Sequence, residues 1–380
     1  MVKTCAFLMP IGECWFPIMT QKETNLVLTY KNKEQMKKLF LSMVALMMAT
    51  LSFAQSSLIA TLSHEGEVKT YYSASALIDA HDAAVDGDII TLSSGTFNAV
   101  DFNKKLTIRG AGMEPNTLTG TLPTIISGDF EVREENTIEG IYHNGTITAG
   151  AKYATFIKCR LKGVVRKYYF GYIGWKNYSF INCRITTLLS VKSNTSSTKA
   201  SVSCINCIVN YPETDLSSNS GKYYTSFDFT NCIVSRGNWG DRDFFNATMK
   251  NCIYIENGLK ASLDASHSLY NTVCVYAAQN DIDLLANVTN GTNTAVEGYS
   301  NVFATYSSFT PEFPDNETFA LTDAAKAQYL GLDGTQVGIY GGIMPFDPTV
   351  SGPQITKCNV ASKSTADGKL SVEIEVNGGK

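Results

Sequence analysis

Between residues 154 and 274 one short phrase returns six times. It reads Phe156-Ile157-Lys158-Cys159-Arg160-Leu161, Phe180-Ile181-Asn182-Cys183-Arg184-Ile185 and Cys204-Ile205-Asn206-Cys207-Ile208-Val209. It continues as Phe229-Thr230-Asn231-Cys232-Ile233-Val234, Met249-Lys250-Asn251-Cys252-Ile253-Tyr254 and Leu269-Tyr270-Asn271-Thr272-Val273-Cys274. The third position falls at 158, 182, 206, 231, 251 and 271, so the spacings are 24, 24, 25, 20 and 20 residues. A period of that size belongs to a stacked solenoid, whose repeats bury apolar surface only against one another. Apolar and polar residues alternate within the phrase and β-formers dominate it, which is a strand signal with no helical periodicity competing. Each repeat is therefore one coil of a β-helix, and the chain is all-β.

In such a coil the Phe, the Cys and the second aliphatic point inward, and the Asn stands at the bend. Successive coils place equivalent residues about 4.8 Å apart. Asn182, Asn206, Asn231, Asn251 and Asn271 are thus expected to form a ladder in which each side-chain amide donates to and accepts from the next. Cys159, Cys183, Cys207, Cys232 and Cys252 occupy one column. Parallel neighbours carry Cβ vectors that run side by side, which opposes disulfides. The Cys204-Ile205-Asn206-Cys207 pair has no second Cys-x-x-Cys to complete a zinc tetrahedron. The expectation is buried free thiols that act as small hydrophobes, and no metal site.

Net charge is -4, only 17% of residues are charged, and no Lys/Arg block stands out. That argues against nucleic acid as a partner. Tyr and Phe number 19 each, and with abundant Ser, Thr and Asn they suit a secreted β-rich protein that meets uncharged polar ligands. His64, His81, His143 and His267 are scattered, without the spacing of a metal or catalytic pair.

Met36-Lys37-Lys38 precedes an apolar run over 39–53, with Ser52 and Ala54 as the small residues before a cleavage at Gln55. Residues 1–35 read as an over-extended, disordered start and 36–54 as a signal peptide, the run being shorter than the ~20 apolar residues of a span. The mature chain is then exported, to the periplasm, the cell surface or the medium, and has no membrane span. It opens with a hairpin over 58–63 and 67–72, followed by a helix around 75–84 that caps the open end of the coils and keeps it from stacking on other chains. The β-helix domain is expected over 55–346. Pro345, Pro348 and Pro353 mark the linker that follows, and a hairpin over 355–362 and 370–376 turns at Ala366-Asp367-Gly368.

Two stretches carry a family resemblance. Asp86-Gly87-Asp88-Ile89-Ile90-Thr91-Leu92-Ser93-Ser94-Gly95-Thr96-Phe97, followed by Lys105-Leu106-Thr107-Ile108-Arg109-Gly110-Ala111-Gly112, resembles the opening coils of pectin-lyase-like right-handed parallel β-helix proteins. Asp333-Gly334-Thr335-Gln336-Val337-Gly338-Ile339-Tyr340-Gly341-Gly342 is similar to their closing coil. The resemblance implies a right-handed parallel β-helix and a lateral groove in which a lyase uses Lys or Arg with Ca²⁺, or a hydrolase uses paired carboxylates. No catalytic signature of the family can be placed on this chain. A non-catalytic polysaccharide-binding or surface protein without a cofactor is therefore the leading expectation, with a lyase or hydrolase of non-standard site as the alternative, the only case that would call for Ca²⁺.

Candidate ligand residues follow from the coil count. Four residues past the Cys column stand Gly163, Thr187, Tyr211, Arg236 and Glu256, so Tyr211, Arg236 and Glu256 would sit side by side with Trp239 and Asp241 close by. An aromatic surface, a guanidinium and a carboxylate together suit a saccharide. Tyr168, Tyr172 and Trp175 belong to a second aromatic cluster, too dense for one coil to bury.

Overall fold

The structure is a computed structural model. It describes residues 58–166 (except 118), 176–190, 200–214, 225–235, 247–256, 268–277, 285, 292–352, 354–360, 363, 368–369 and 371–377.

Two parallel sheets run the length of a β-solenoid, each coil giving one strand to either sheet. The first holds Ile89–Leu92, Thr107–Arg109, Asn136–Glu139, Tyr153–Ile157, Lys176–Ile181, Ala200–Ile205, Thr225–Thr230, Ala247–Lys250 and Ser268–Tyr270 in that order. The second runs from Gly95–Asn98 through Arg160–Arg166, Arg184–Ser190 and Ile208–Thr214 to Thr272–Tyr276 and Asn293–Glu297. The predicted repeats are in register: Phe156, Phe180, Cys204, Phe229, Met249 and Leu269 pair in succession, and Ile90, Ile108 and Ile138 continue the column downward. This column, the Cys column and the column Leu161, Ile185, Val209, Val234, Tyr254, Cys274 all face a common interior and are buried. Inward placement of the Phe, Cys and aliphatic positions is thus as the phrase predicts.

The expected hairpin forms Ile59–His64 and Glu67–Tyr72, and its first strand adds antiparallel to the first coil, Leu62 opposite Ile90. Helix α1, Ala76–Ala83, follows with Ala76, Leu77, Ala80 and His81 buried. Ser75 precedes it, with Oγ donating to the Asp79 carboxylate at 3.3 Å. Helix and hairpin together close the lower end. At the other terminus Gln354–Val360 and Val372–Asn377 pair antiparallel as the predicted hairpin.

The Asn column behaves differently from expectation. Asn182, Asn206, Asn231, Asn251 and Asn271 all take φ between 48° and 54°, the left-handed bend that Asn tolerates better than other side chains, and Lys158 shares it at 51°. Backbone bonds to the next coil continue straight through the bend, for instance Asn182 N to Ile205 O and Asn206 N to Thr230 O, both 3.0 Å. Among the described residues no amide of the column bonds another. A segment the repeat does not announce, residues 330–351, runs back along this corner and bonds three of the five amides. Asn271 donates to Leu330 O at 3.4 Å, the Asn251 side chain accepts from Leu332 N at 3.0 Å, and Asn206 donates to both Ile339 O and Gly341 O at 2.8 Å. Further down, Lys158 donates to Thr349 O at 2.5 Å and Ser351 N donates to Glu139.

Residues 333–342 therefore do not close the stack as a last coil. After Asn293–Glu297 the chain folds over the outside of the second sheet, where Ile208, Ile233, Ile253, Ile255, Val273 and Val275 meet Tyr299, Phe303, Tyr306, Phe319, Leu321, Val337 and Ile339 in a second hydrophobic core. Apolar residues on both faces of these strands, as in Ile253-Tyr254-Ile255, are the physical cause: one face fills the solenoid and the other needs cover. Helix α2, Asp323–Gln328, lies in this outer layer, with Thr322 Oγ1 accepting from Ala325 N. Arg184, 8% exposed, pins the layer by donating to Glu317 O at 2.9 Å and Pro314 O at 3.3 Å.

Candidate functional site

Of the ligand residues read from the sequence, Arg236, Trp239, Asp241, Tyr168, Tyr172 and Trp175 lie outside the described residues. Tyr211 stands in register with Thr187, and Thr187 with Gly163, as the coil count predicts. Glu256 is placed, and not on an open face: it is 1% exposed. Tyr254 points inward, Ile255 outward and Glu256 inward again, so strand alternation takes its carboxylate to Tyr254 Oη, which donates at 3.0 Å. Tyr299 of the outer layer donates to the Glu256 carbonyl at 2.6 Å. Glu256 is removed as an acceptor for a surface ligand.

Among the described residues the outer layer covers the second sheet and not the outward positions of the first. One column there is polar throughout: Thr107, Thr137, Thr155, Ser179, Ser203, Asp228, Thr248 and Ser268 pair in succession. All are half-buried except Asp228, which is exposed. Each immediately precedes an inward residue of the Phe column, so strand alternation forces it outward.

Where this column begins the surface dips into a cavity of about 340 Å³, bordered by Thr107, Thr137 and Thr155 on three successive coils and by Lys105, Glu135 and Tyr153, each two residues before one of those threonines. Leu106 and Ala154 give it an apolar floor. Asn136 also borders it, but its side chain is committed to the protein, accepting from Leu106 N at 3.2 Å and donating to Glu134 O at 2.7 Å. In contrast, among the described residues none of the three Thr hydroxyls makes a hydrogen bond within the chain. Lys105 Nζ lies 3.4 Å from Glu135 Oε2 with both side chains about half exposed, at 49% and 43%. Exposed pairs of this kind contribute ~0.2–1 kcal/mol, too little to matter for folding. Tyr153 is 41% exposed, with Lys152 Nζ 5.2 Å from its ring centroid.

Three hydroxyls at about 4.8 Å pitch, each able to donate and accept, beside an aromatic ring and above an apolar floor, form a surface that matches a ring of alternating hydroxyl and C–H groups. A signal for it was present in the sequence: the residue before the first position of the repeated phrase is Thr155, Ser179, Ser203, Asp228, Thr248 or Ser268. The coil count looked past the Cys and not ahead of the Phe. Among the described residues no group of His, Cys, Asp and Glu side chains is arranged to hold a metal ion.

Compared with known proteins, the chain matches no family model, no curated sequence and no solved structure.

Proposed function

We propose that the protein is an exported, non-catalytic polysaccharide-binding protein related to the pectin-lyase-like right-handed β-helices, and that it takes its ligand on the outer face of the first sheet. The observation that carries this reading is the cavity at Thr107, Thr137 and Thr155, whose three hydroxyls are unspent and stand beside the exposed ring of Tyr153. Export rests on the signal-like segment at 36–54, and the sugar ligand on the chemistry of the cavity together with the resemblance of residues 86–112 to opening coils of that superfamily.

The test is binding of the protein to an array of plant, host and microbial polysaccharides, with Tyr153→Ala in parallel. Loss of an aromatic contact worth ~1–2 kcal/mol weakens binding about five- to thirty-fold. Polysaccharide binding that Tyr153→Ala leaves unchanged removes this face from consideration. Release of reducing ends or unsaturated ends from any bound polymer overturns the non-catalytic assignment in favour of a hydrolase or a lyase. N-terminal sequencing of protein exported by a host cell is expected to begin at Gln55.

A further inference from the structure

Charge at the cavity is balanced, and the balance bears on which sugars fit. Lys105 reaches it already neutralised by Glu135 at 3.4 Å. Asp86 lies behind Lys105, its Oδ1 accepting from the Lys105 backbone N at 2.9 Å. Outside the lining, Lys152 sits over the Tyr153 ring, and Arg109, two residues from Thr107 on the same face, lies 3.9 Å from Glu139. Among the residues that line the cavity the only charged ones are Lys105 and Glu135, and they pair with each other, so the lining itself keeps no unpaired cation to meet an anion. What the cavity does offer without competition is hydroxyl: Thr107, Thr137 and Thr155, in register and unused.

Resting on the reading above, we infer that this cavity selects neutral, polyhydroxylated sugar units and discriminates against uronic acids. A neutral sugar hydroxyl both donates and accepts, as a Thr hydroxyl does, so each contact forms whichever partner donates. A uronate carboxylate only accepts. Placed here, it must compete with Glu135 for Lys105 and pass the Glu135 charge, an unfavourable like-charge approach, and it must shed water with no unpaired cation of the lining in return. Glu135 is thus the residue that sets specificity, through charge and not through contact with the neutral ligand.

Calorimetric titration with neutral hexose and pentose oligosaccharides and with uronic oligosaccharides of equal length tests this on the protein, on Glu135→Gln and on Thr137→Val. The protein is expected to bind neutral oligosaccharides at least about tenfold more tightly than uronic ones. Glu135→Gln frees Lys105 and is expected to close most of that gap, strengthening uronate binding by a larger factor than it alters neutral binding. Thr137→Val keeps the shape and β propensity of the strand, and is expected to weaken neutral binding several-fold. Uronic oligosaccharides that bind equally or more tightly, and are weakened by Thr137→Val, would overturn the selectivity while leaving glycan binding at this site intact. Absence of binding by either class, or binding indifferent to Thr137→Val, takes down the site itself and the selectivity with it.

Discussion

The side chain of Asn206 donates to the carbonyl of Ile339 at 2.8 Å, across 133 residues of sequence. A second bond from the same nitrogen reaches Gly341 O at 2.8 Å, and Asn206 is 1% exposed. The bend residue of a coil is therefore also the attachment point of the segment that runs back over the coils. Gly342, at φ 76°, passes so close that a Cβ there would collide with the Asn231 amide.

Asn206→Ala is expected to destabilise the protein by roughly 2–4 kcal/mol, because two buried carbonyls lose their donor and Ala enters a left-handed backbone. Asn271→Ala, whose bond to Leu330 O is longer at 3.4 Å and exposed, loses about half as much or less. Urea unfolding of the two variants checks this. Equal losses would mean that only the bend conformation matters and that the returning segment contributes nothing.

The cysteine column does more than fill space. Cys207 Sγ shares its proton between Phe180 O and Ile205 O at 3.3 Å and accepts from Cys183 N at 3.3 Å; Cys183 and Cys232 donate in the same way, and Cys232 Sγ accepts from Cys207 N at 3.4 Å. In the sixth phrase Thr272 Oγ1 takes over, donating to Met249 O and Tyr270 O. The position requires a small side chain with a proton to donate. Cys207→Ser is expected to cost under ~1.5 kcal/mol, whereas Cys207→Val, which removes the S–H donor and leaves Cys183 N without its acceptor, costs about 2–3 kcal/mol. A Val variant as stable as the Ser variant would reduce the column to simple packing.

Burial also pushes the thiols of Cys183, Cys204, Cys232 and Cys274 upward in pKa, away from the reactive thiolate. Cys159, Cys183, Cys204, Cys207, Cys232, Cys252 and Cys274 are all free and buried. A thiol reagent is expected to leave them untouched in the folded protein and to titrate them in denaturant without reductant. Recovery of few thiols after unfolding would show disulfides instead.

Coils, cap and hairpins were legible because each is a local pattern: alternation within six residues, Ala and Leu at helical spacing after Ser75, an Asp-Gly turn. The layer formed by residues 299–351 was not, since nothing in it repeats and its partners lie about a hundred residues away. Its trace was nonetheless present. Arg160 and Arg184 give way to Ile208, Ile233, Ile253 and Val273 at the outward position after the Cys, a change from polar to apolar that a solvent-facing strand has no use for. Glu256 was misplaced for the same reason: counting along the chain located its coil correctly but ignored which face the count had reached.

The interior near the cap carries a pH dependence. His81, 3% exposed, packs edge-on to Phe102, whose ring meets Phe130, which in turn meets His143 at 4.7 Å. Neither ring nitrogen of His81 has a hydrogen-bond partner, with Asp82 3.7 Å away and largely in solvent. His143, fully buried, places Nε2 2.8 Å from Gly128 O and leaves Nδ1 without a partner. Burial lowers the pKa of both below 6.5, helped at His81 by Lys104. Above pH 6.5 both histidines are neutral folded or unfolded and pH has no leverage through them. As pH falls below 6.5 the unfolded chain takes up protons that the folded chain refuses, so stability drops, by at most ~2.7 kcal/mol per pH unit for two such groups. His64, exposed and raised by its 2.7 Å bond to Asp88, acts in the opposite sense, adding stability below 6.5 that is lost as pH rises. Urea unfolding at pH 7.5 and 5.5 is expected to show a net acid loss that shrinks in the His81→Gln, His143→Gln double variant. Hydrogen exchange at pH 5.5 is expected to quicken first in α1, the element that carries His81. An acid loss of the same size in the double variant would assign it to the carboxylates and clear the two histidines.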